Sequence, residues 1–169
     1  LSEVTGEVHW DRELGALTRE MLRRQGPALL FRNITGYNTP DARCSRLATS
    51  LLASRRRLEL CLGFTEPQHN RDLVQHVLAT MEQRLTPVTV DDGPVLENQL
   101  SADEIDLAEF PVPKWHYLDG GRYINTYAAV VTKDPDTGAV NVGVYRGMIT
   151  GRNRIAVLMV PSQHWGRHW

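Results

Sequence analysis

The stretch "GAVNVGVYRGMI", Gly138–Ile149, decides how this chain is read. Small and aliphatic residues alternate along it, which predicts a buried β-strand. Yet it carries an amide at Asn141 and a guanidinium at Arg146. The neighbouring text is also β-like. "YINTYAAVVT", Tyr123–Thr132, predicts a preceding strand, and "DPDTG", Asp134–Gly138, a tight turn into the second. "TGRN", Thr150–Asn153, predicts the next turn, and "IAVLMV", Ile155–Val160, a third strand.

A hairpin turn centred on Gly151–Asn153 fixes a register in which paired residue numbers sum to about 304. Asn141 then lies opposite Gln163 with His164 beside it, and Arg146 lies opposite Leu158. An amide oxygen and an imidazole side by side are suited to a shared divalent cation such as manganese. Two ligands do not close a site, so carboxylates or a ligand phosphate must complete it. Asn141 and Arg146 are five residues apart and face opposite sides of a regular strand. One pocket for both requires a bulge, for which Gly143 or Gly147 is the natural place. Without it, Arg146 is an outward-facing arginine with a structural partner.

Upstream, the text to about Gln83 is largely helical. Leu14, Leu17 and Met21 form one stripe, and Gly26-Pro27 ends that helix. "PALLF", Pro27–Phe31, predicts a short buried strand. Thr39-Pro40-Asp41 predicts a helix start, with Cys44, Leu47, Ala48, Leu51 and Leu52 on its inner face. Arg55-Arg56-Arg57 reads as a solvated helix end. Asn70 predicts a cap for a further helix carrying Leu73, Val74, Val77, Leu78 and Met81. After Pro87 prolines recur and helical periodicity fades. The predicted layout is an α/β region over 1–90, an extended connector over 91–122, and the start of an antiparallel barrel or sheet over 123–169.

The chain of 169 residues is long enough for a real core, and 41% apolar with 23% charged residues is ordinary for a globular protein. A formal net charge of −1 argues against nucleic-acid or membrane-surface binding by bulk electrostatics. No apolar run reaches the roughly 20 residues needed to span a bilayer. Cys44 and Cys61 are spaced unlike a redox or zinc motif and read as buried thiols in a reducing, cytoplasmic compartment. His9, His69 and His76 lack partners at metal spacing. His168 follows His164 by four residues, and a frayed terminus is the simplest expectation for it.

"NTYAAVVTKDPDTGAVNVGVYRGMI" followed by "PSQHWGRHW" resembles the UbiD family of prenylated-FMN-dependent decarboxylases. "GPALLFRNITGY" and "PVPKWHYLDGGRYINTY" extend the resemblance over nearly the whole chain. The combination carries it: the DP-x-TG turn, the N-x-G-x-YR strand, its spacing to the following histidine, and the DGGRYI lead-in.

The resemblance implies an N-terminal α/β region followed by the first antiparallel strands of a split β-barrel flavin-binding domain, here incomplete. It implies reversible, non-oxidative decarboxylation of a small aromatic or α,β-unsaturated carboxylic acid. The cofactors implied are prenylated FMN and Mn2+, with or without K+, and the full-length protein is expected to be a homo-oligomer. By match to the family motif, Asn141 binds the metal at the cofactor phosphate. Val144, Tyr145 and Arg146 line the cofactor, and Arg146 also holds the substrate carboxylate and takes part in catalysis. Gln163 and His164 match the next cofactor-contacting pair, and in members with this QH sequence the histidine also ligates the metal.

The family's metal-binding glutamate and catalytic acids lie beyond the QH motif, and this chain continues only to Trp169. Glu97, Glu104 and Glu109 match none of those positions. The expectation is therefore a truncated, inactive portion of an active decarboxylase. Two other readings compete: an FMN-dependent reductase on a similar barrel, and a non-catalytic fragment that binds a cofactor or partner.

Overall fold

The computed structural model describes residues 1–83 and 85–169. Its elements run β1 Ser2–Val4, α1 Glu13–Arg23, β2 Leu29–Phe31, β3 Leu47–Thr49, α2 Arg55–Cys61 and α3 Asn70–Glu82. Then follow β4 Ala129–Lys133, β5 Val140–Val144, β6 Gly147–Gly151, β7 Arg154–Val157 and α4 His164–Arg167. The result is a mixed α/β chain with three small sheets.

The N-terminal sheet has the order β1-β2-β3, with β1 parallel and β3 antiparallel to β2. Helix α1 covers it. Leu14 and Phe31 are fully buried, in a cluster with Val8, Leu29, Ile34 and Tyr37. Each such apolar side chain contributes about 1.5–3 kcal/mol by leaving water. Thr18 of α1 and Thr49 of β3 share a buried hydroxyl–hydroxyl bond of 3.1 Å, so these two buried hydroxyls satisfy each other.

The helix expected from Thr39 is not formed. Residues 39–46 are turns and bends, and Leu47–Thr49 instead pairs with β2. The free backbone of β2 offered ladder bonds that local periodicity could not reveal. The arginine run opens α2 rather than ending a helix, and it is not simply solvated. Arg55 and Arg56 pair with Glu59, which is only 2% exposed. Arg55 also bonds the Gln68 carbonyl and the Asn70 side chain, and Arg57 bonds the Leu51 and Ser50 carbonyls. The N-cap of α3 is His69, and Asn70 is its first residue. Val74, Leu78 and Met81 on α3 are exposed. Cys44 is half-buried and Cys61 exposed, contrary to two buried thiols, because Cys61 ends α2 on its open side.

The connector forms two single 3-10 turns, Pro94–Leu96 and Leu107–Glu109, and is otherwise irregular. Its last part is stitched to the N-terminal layer. The Tyr37 hydroxyl donates to the Ala108 carbonyl at 2.8 Å, Arg43 pairs with Glu109 at 2.6 Å, and the Lys114 backbone accepts from the Arg12 amide and donates to the Trp10 carbonyl. Arg122 closes the junction. It donates to the carbonyls of Val112 at 2.7 Å and Phe110 at 2.8 Å, and its guanidinium stacks 4.4 Å from the Trp10 ring centroid.

Candidate functional site

The strand of the opening stretch is broken in two. β5 pairs antiparallel with β4, and β6 pairs with β7. The β6–β7 register runs Gly147↔Val157, Met148↔Ala156 and Ile149↔Ile155, as the turn arithmetic predicts, with an irregularity before Gly151↔Arg154. Extended to Asn141, that arithmetic fails. Asn141 pairs with Thr132 of β4, and Gln163 caps α4 instead of continuing β7. The first strand is also shorter than expected, beginning at Ala129; Tyr123 makes one isolated bridge to Met148.

Tyr145 and Arg146 lie between the two ladders. The strand therefore departs from regular alternation between Asn141 and Arg146, beside Gly147, one of the two positions expected. Arg146 is exposed and, among the described residues, has neither an ion-pair nor a hydrogen-bond partner. The outward-facing arginine with a structural partner is thus not what forms.

The two faces of the β4–β5 hairpin differ. Val131, Val140, Val142 and Val144 stand on one face and are exposed, Val142 by 63%, so this strand is not buried on both sides as its composition predicts. Val130, Thr132, Asn141 and Gly143 form the other face. Helix α4 packs against β5. The Tyr145 ring folds back over Gly143, where any Cβ would collide with it. That ring meets Trp165 of α4 edge-on at 4.8 Å, and the Trp165 N–H donates to the Tyr145 hydroxyl at 3.4 Å. His168 is not frayed: its side chain is 6% exposed and its Nδ1 lies 2.9 Å from the Thr132 hydroxyl. The rings of His164 and His168 are 5.8 Å apart.

Of the six residues expected at the site, Asn141 and Tyr145 lie on the α4 side of the hairpin. Gln163 and His164 are exposed at the start of α4, Arg146 sits in the break, and Val144 is on the opposite, valine face. The contribution of His168, Trp165 and Thr132 escaped sequence reasoning. The four-residue spacing of the histidines was the available signal.

Asn141 carries the most telling observation. Its Nδ2 is buried and, among the described residues, has no hydrogen-bond partner. Buried polar groups are nearly always satisfied, so this carboxamide nitrogen is open to a group beyond the described residues. A half-turn of the carboxamide exchanges its two ends and offers an acceptor oxygen at the same place. The residues thus fit a cation or a polar ligand there. They do not complete a metal site: among the described residues no three His, Cys, Asp or Glu side chains converge. Nearby, the Thr137 and Asp136 amides, both 2.9 Å from Asp134 Oδ1, hold the Asp134 carboxyl below its usual range, helped by the Thr137 hydroxyl and His168.

Comparison with known proteins agrees with this architecture. Residues 1–77 match the family model of the 3-octaprenyl-4-hydroxybenzoate carboxy-lyase N-terminal domain, UbiD_N. Residues 87–169 match that of the corresponding Rift-related domain, UbiD. The chain belongs to the UbiD family. It is 39% identical over 171 residues to a pyrrole-2-carboxylic acid decarboxylase of Pseudomonas aeruginosa, covering 98% of this chain and 34% of that protein. It is 28% identical to ferulic acid decarboxylase 1 of Saccharomyces cerevisiae, covering 97% of this chain and 34% of the yeast protein. Among solved structures, an evolved dimeric form of the UbiD-class enzyme HmfF from Pelotomaculum thermopropionicum, in complex with prFMN, superposes with a TM-score of 0.82 at 27% identity. That likeness covers 99% of this chain and 36% of HmfF. The chain thus spans about a third of the length of the relatives it matches.

Proposed function

We propose that this chain is the N-terminal portion of a decarboxylase that removes carbon dioxide, reversibly and without net oxidation, from a small aromatic or α,β-unsaturated carboxylic acid. The buried Nδ2 of Asn141, unpartnered among the described residues, in a chain 39% identical to a pyrrole-2-carboxylic acid decarboxylase, is the observation that carries the reading. Prenylated FMN, when bound, supplies the electron sink for breaking the carbon–carboxylate bond. Manganese, with or without potassium, balances its phosphate charge.

Each residue then has a task. Asn141 offers its amide oxygen to the metal, and His164 an imidazole nitrogen. Val144, Tyr145, Gln163 and His164 line the cofactor. Arg146 holds the substrate carboxylate: a planar guanidinium grips both oxygens and stays charged at any working pH. Its lack of a partner among the described residues supports that role, since none of their carboxylates competes for it. The same fact supports the expectation that these 169 residues do not turn over alone, because among the described residues no acid pairs with Arg146 to return a proton to the product.

The proposed organisation is an α/β region over 1–90, a connector over 91–122, and over 123–169 the opening strands of a split barrel. The exposed valine face of β4–β5 supports the last part, since barrel strands need a second layer. The whole enzyme is proposed to be a cytoplasmic homo-oligomer. Two free thiols agree with a reducing compartment. Among the described residues no helix is long and apolar enough to cross a membrane.

The absorption spectrum of the full-length protein, purified from cells that make prenylated FMN, tests the reading. A prenylated-flavin spectrum is expected. A plain oxidised-flavin spectrum that bleaches with a nicotinamide reductant would favour a reductase, and a colourless protein would leave the site without its cofactor.

A further inference from the structure

The last residues of the chain, "QHWGRHW", form a turn of helix fastened at three points. Trp165 is pegged to Tyr145. Gly166 lies so close to the Val160 carbonyl that no Cβ fits. His168 is inserted against the face of β4–β5 that bears Asn141. Its two ring nitrogens have different neighbours: the Thr132 hydroxyl at 2.9 Å from Nδ1, and the Asp134 carboxylate at 3.9 Å from Nε2. The carboxylate favours the proton on Nε2, which leaves Nδ1 to accept from the hydroxyl.

We propose that His168 is a positioning residue: its bond to Thr132, the cross-strand partner of Asn141, fixes α4 and thereby holds His164 and the Asn141 carboxamide at a set separation. Thr132 links the two sides. It is directly opposite Asn141 in the ladder, and its hydroxyl reaches His168, whose ring abuts that of His164. Among the described residues the Asn141 Nδ2 has no partner, while Thr132 across from it is engaged with His168. The inference rests on reading Asn141 and His164 as part of the metal and cofactor site. Supporting residues of this kind typically change metal affinity roughly tenfold to a hundredfold.

The test titrates manganese(II) into the full-length protein in the presence of FMN, followed by electron paramagnetic resonance. His168→Ala and Thr132→Val are expected to weaken binding by roughly tenfold or more and to change the line shape of the bound ion. Thr132→Ser, which keeps the hydroxyl, is expected to restore both. Should His168→Ala fail to fold, the Thr132 pair decides alone. Manganese binding by Thr132→Val equal to the unsubstituted protein overturns the proposal, as does Thr132→Ser falling as far as Thr132→Val. If the unsubstituted protein binds no manganese, the site reading itself fails and this proposal with it. In the cofactor-free protein, faster amide exchange at His168 in Thr132→Val is expected, and unchanged exchange would count against the clamp.

Discussion

Asn141 stands directly opposite Thr132 in the β4–β5 ladder, and the Thr132 hydroxyl is bonded to His168 of the final turn. One cross-strand pair therefore joins the residue with an unpartnered buried amide to the helix that carries His164. The second strand of the opening stretch gains its meaning from this pairing rather than from the hairpin that follows it.

Replacing Asn141 with alanine should cost the full-length protein its metal with little loss of stability. The buried Nδ2 has no bond to lose, so the thermal midpoint should stay level or rise. Manganese affinity should fall by at least roughly tenfold. Calorimetry with metal titration checks both, and a large drop in thermal midpoint would show that the amide is structural.

Leu14→Ala should destabilise the N-terminal region by about 2–5 kcal/mol, because Leu14 is fully buried against β2 and the collapse of so small a core is limited. Denaturant midpoints measure it.

Arg122→Lys should loosen the junction between connector and sheets. Lysine cannot reproduce two directed bonds to Val112 and Phe110 together with the flat stack on Trp10. A loss of about 1–3 kcal/mol is expected, and amide exchange should quicken first at residues 110–115.

Glu59 links pH to stability. Bonding by Arg55 holds its carboxyl below the usual value, with the Gln68 amide and Arg56 assisting. A depressed folded-state value means that the stabilisation is fully present above the unfolded carboxylate value, near 4.3. It is lost as pH falls through the lower folded value. The thermal midpoint should hold from pH 7 to about 5 and decline below about 4. Glu59→Gln should lower the neutral plateau and flatten the acid limb. An acid limb as steep in Glu59→Gln as in the parent would assign the pH response elsewhere, for example to Glu20, which Arg23 and Arg24 hold down to about 2.

Periodicity and turn chemistry made α1, β2, α3 and the β6–β7 register legible in the sequence. Each rests on local signals: the Leu14–Met21 stripe, the apolar "ALLF", the Leu73–Met81 stripe, and the Gly151–Asn153 turn. The Thr39–Leu52 segment was misleading because its apolar spacing imitates a helix while a long-range ladder to β2 claims it. The break at Tyr145–Arg146 was legible only as a requirement, from the conflict between strand alternation and a shared pocket. The contact made there, Tyr145 folding over Gly143 onto Trp165, joins residues twenty apart and has no local trace. The place of His168 is not legible for the same reason: its side chain meets Thr132 of β4, more than thirty residues away.

The most direct measurement is carbon dioxide release from a panel of small aromatic and α,β-unsaturated acids by the full-length protein loaded with prenylated FMN and manganese, compared with Arg146→Ala and with residues 1–169 alone. The account predicts turnover of at least one acid, a fall in kcat/KM of at least roughly a hundredfold in Arg146→Ala, and none by the 169-residue chain. Turnover by Arg146→Ala at the parent rate, or no release from any acid by protein shown to hold the cofactor, would contradict it.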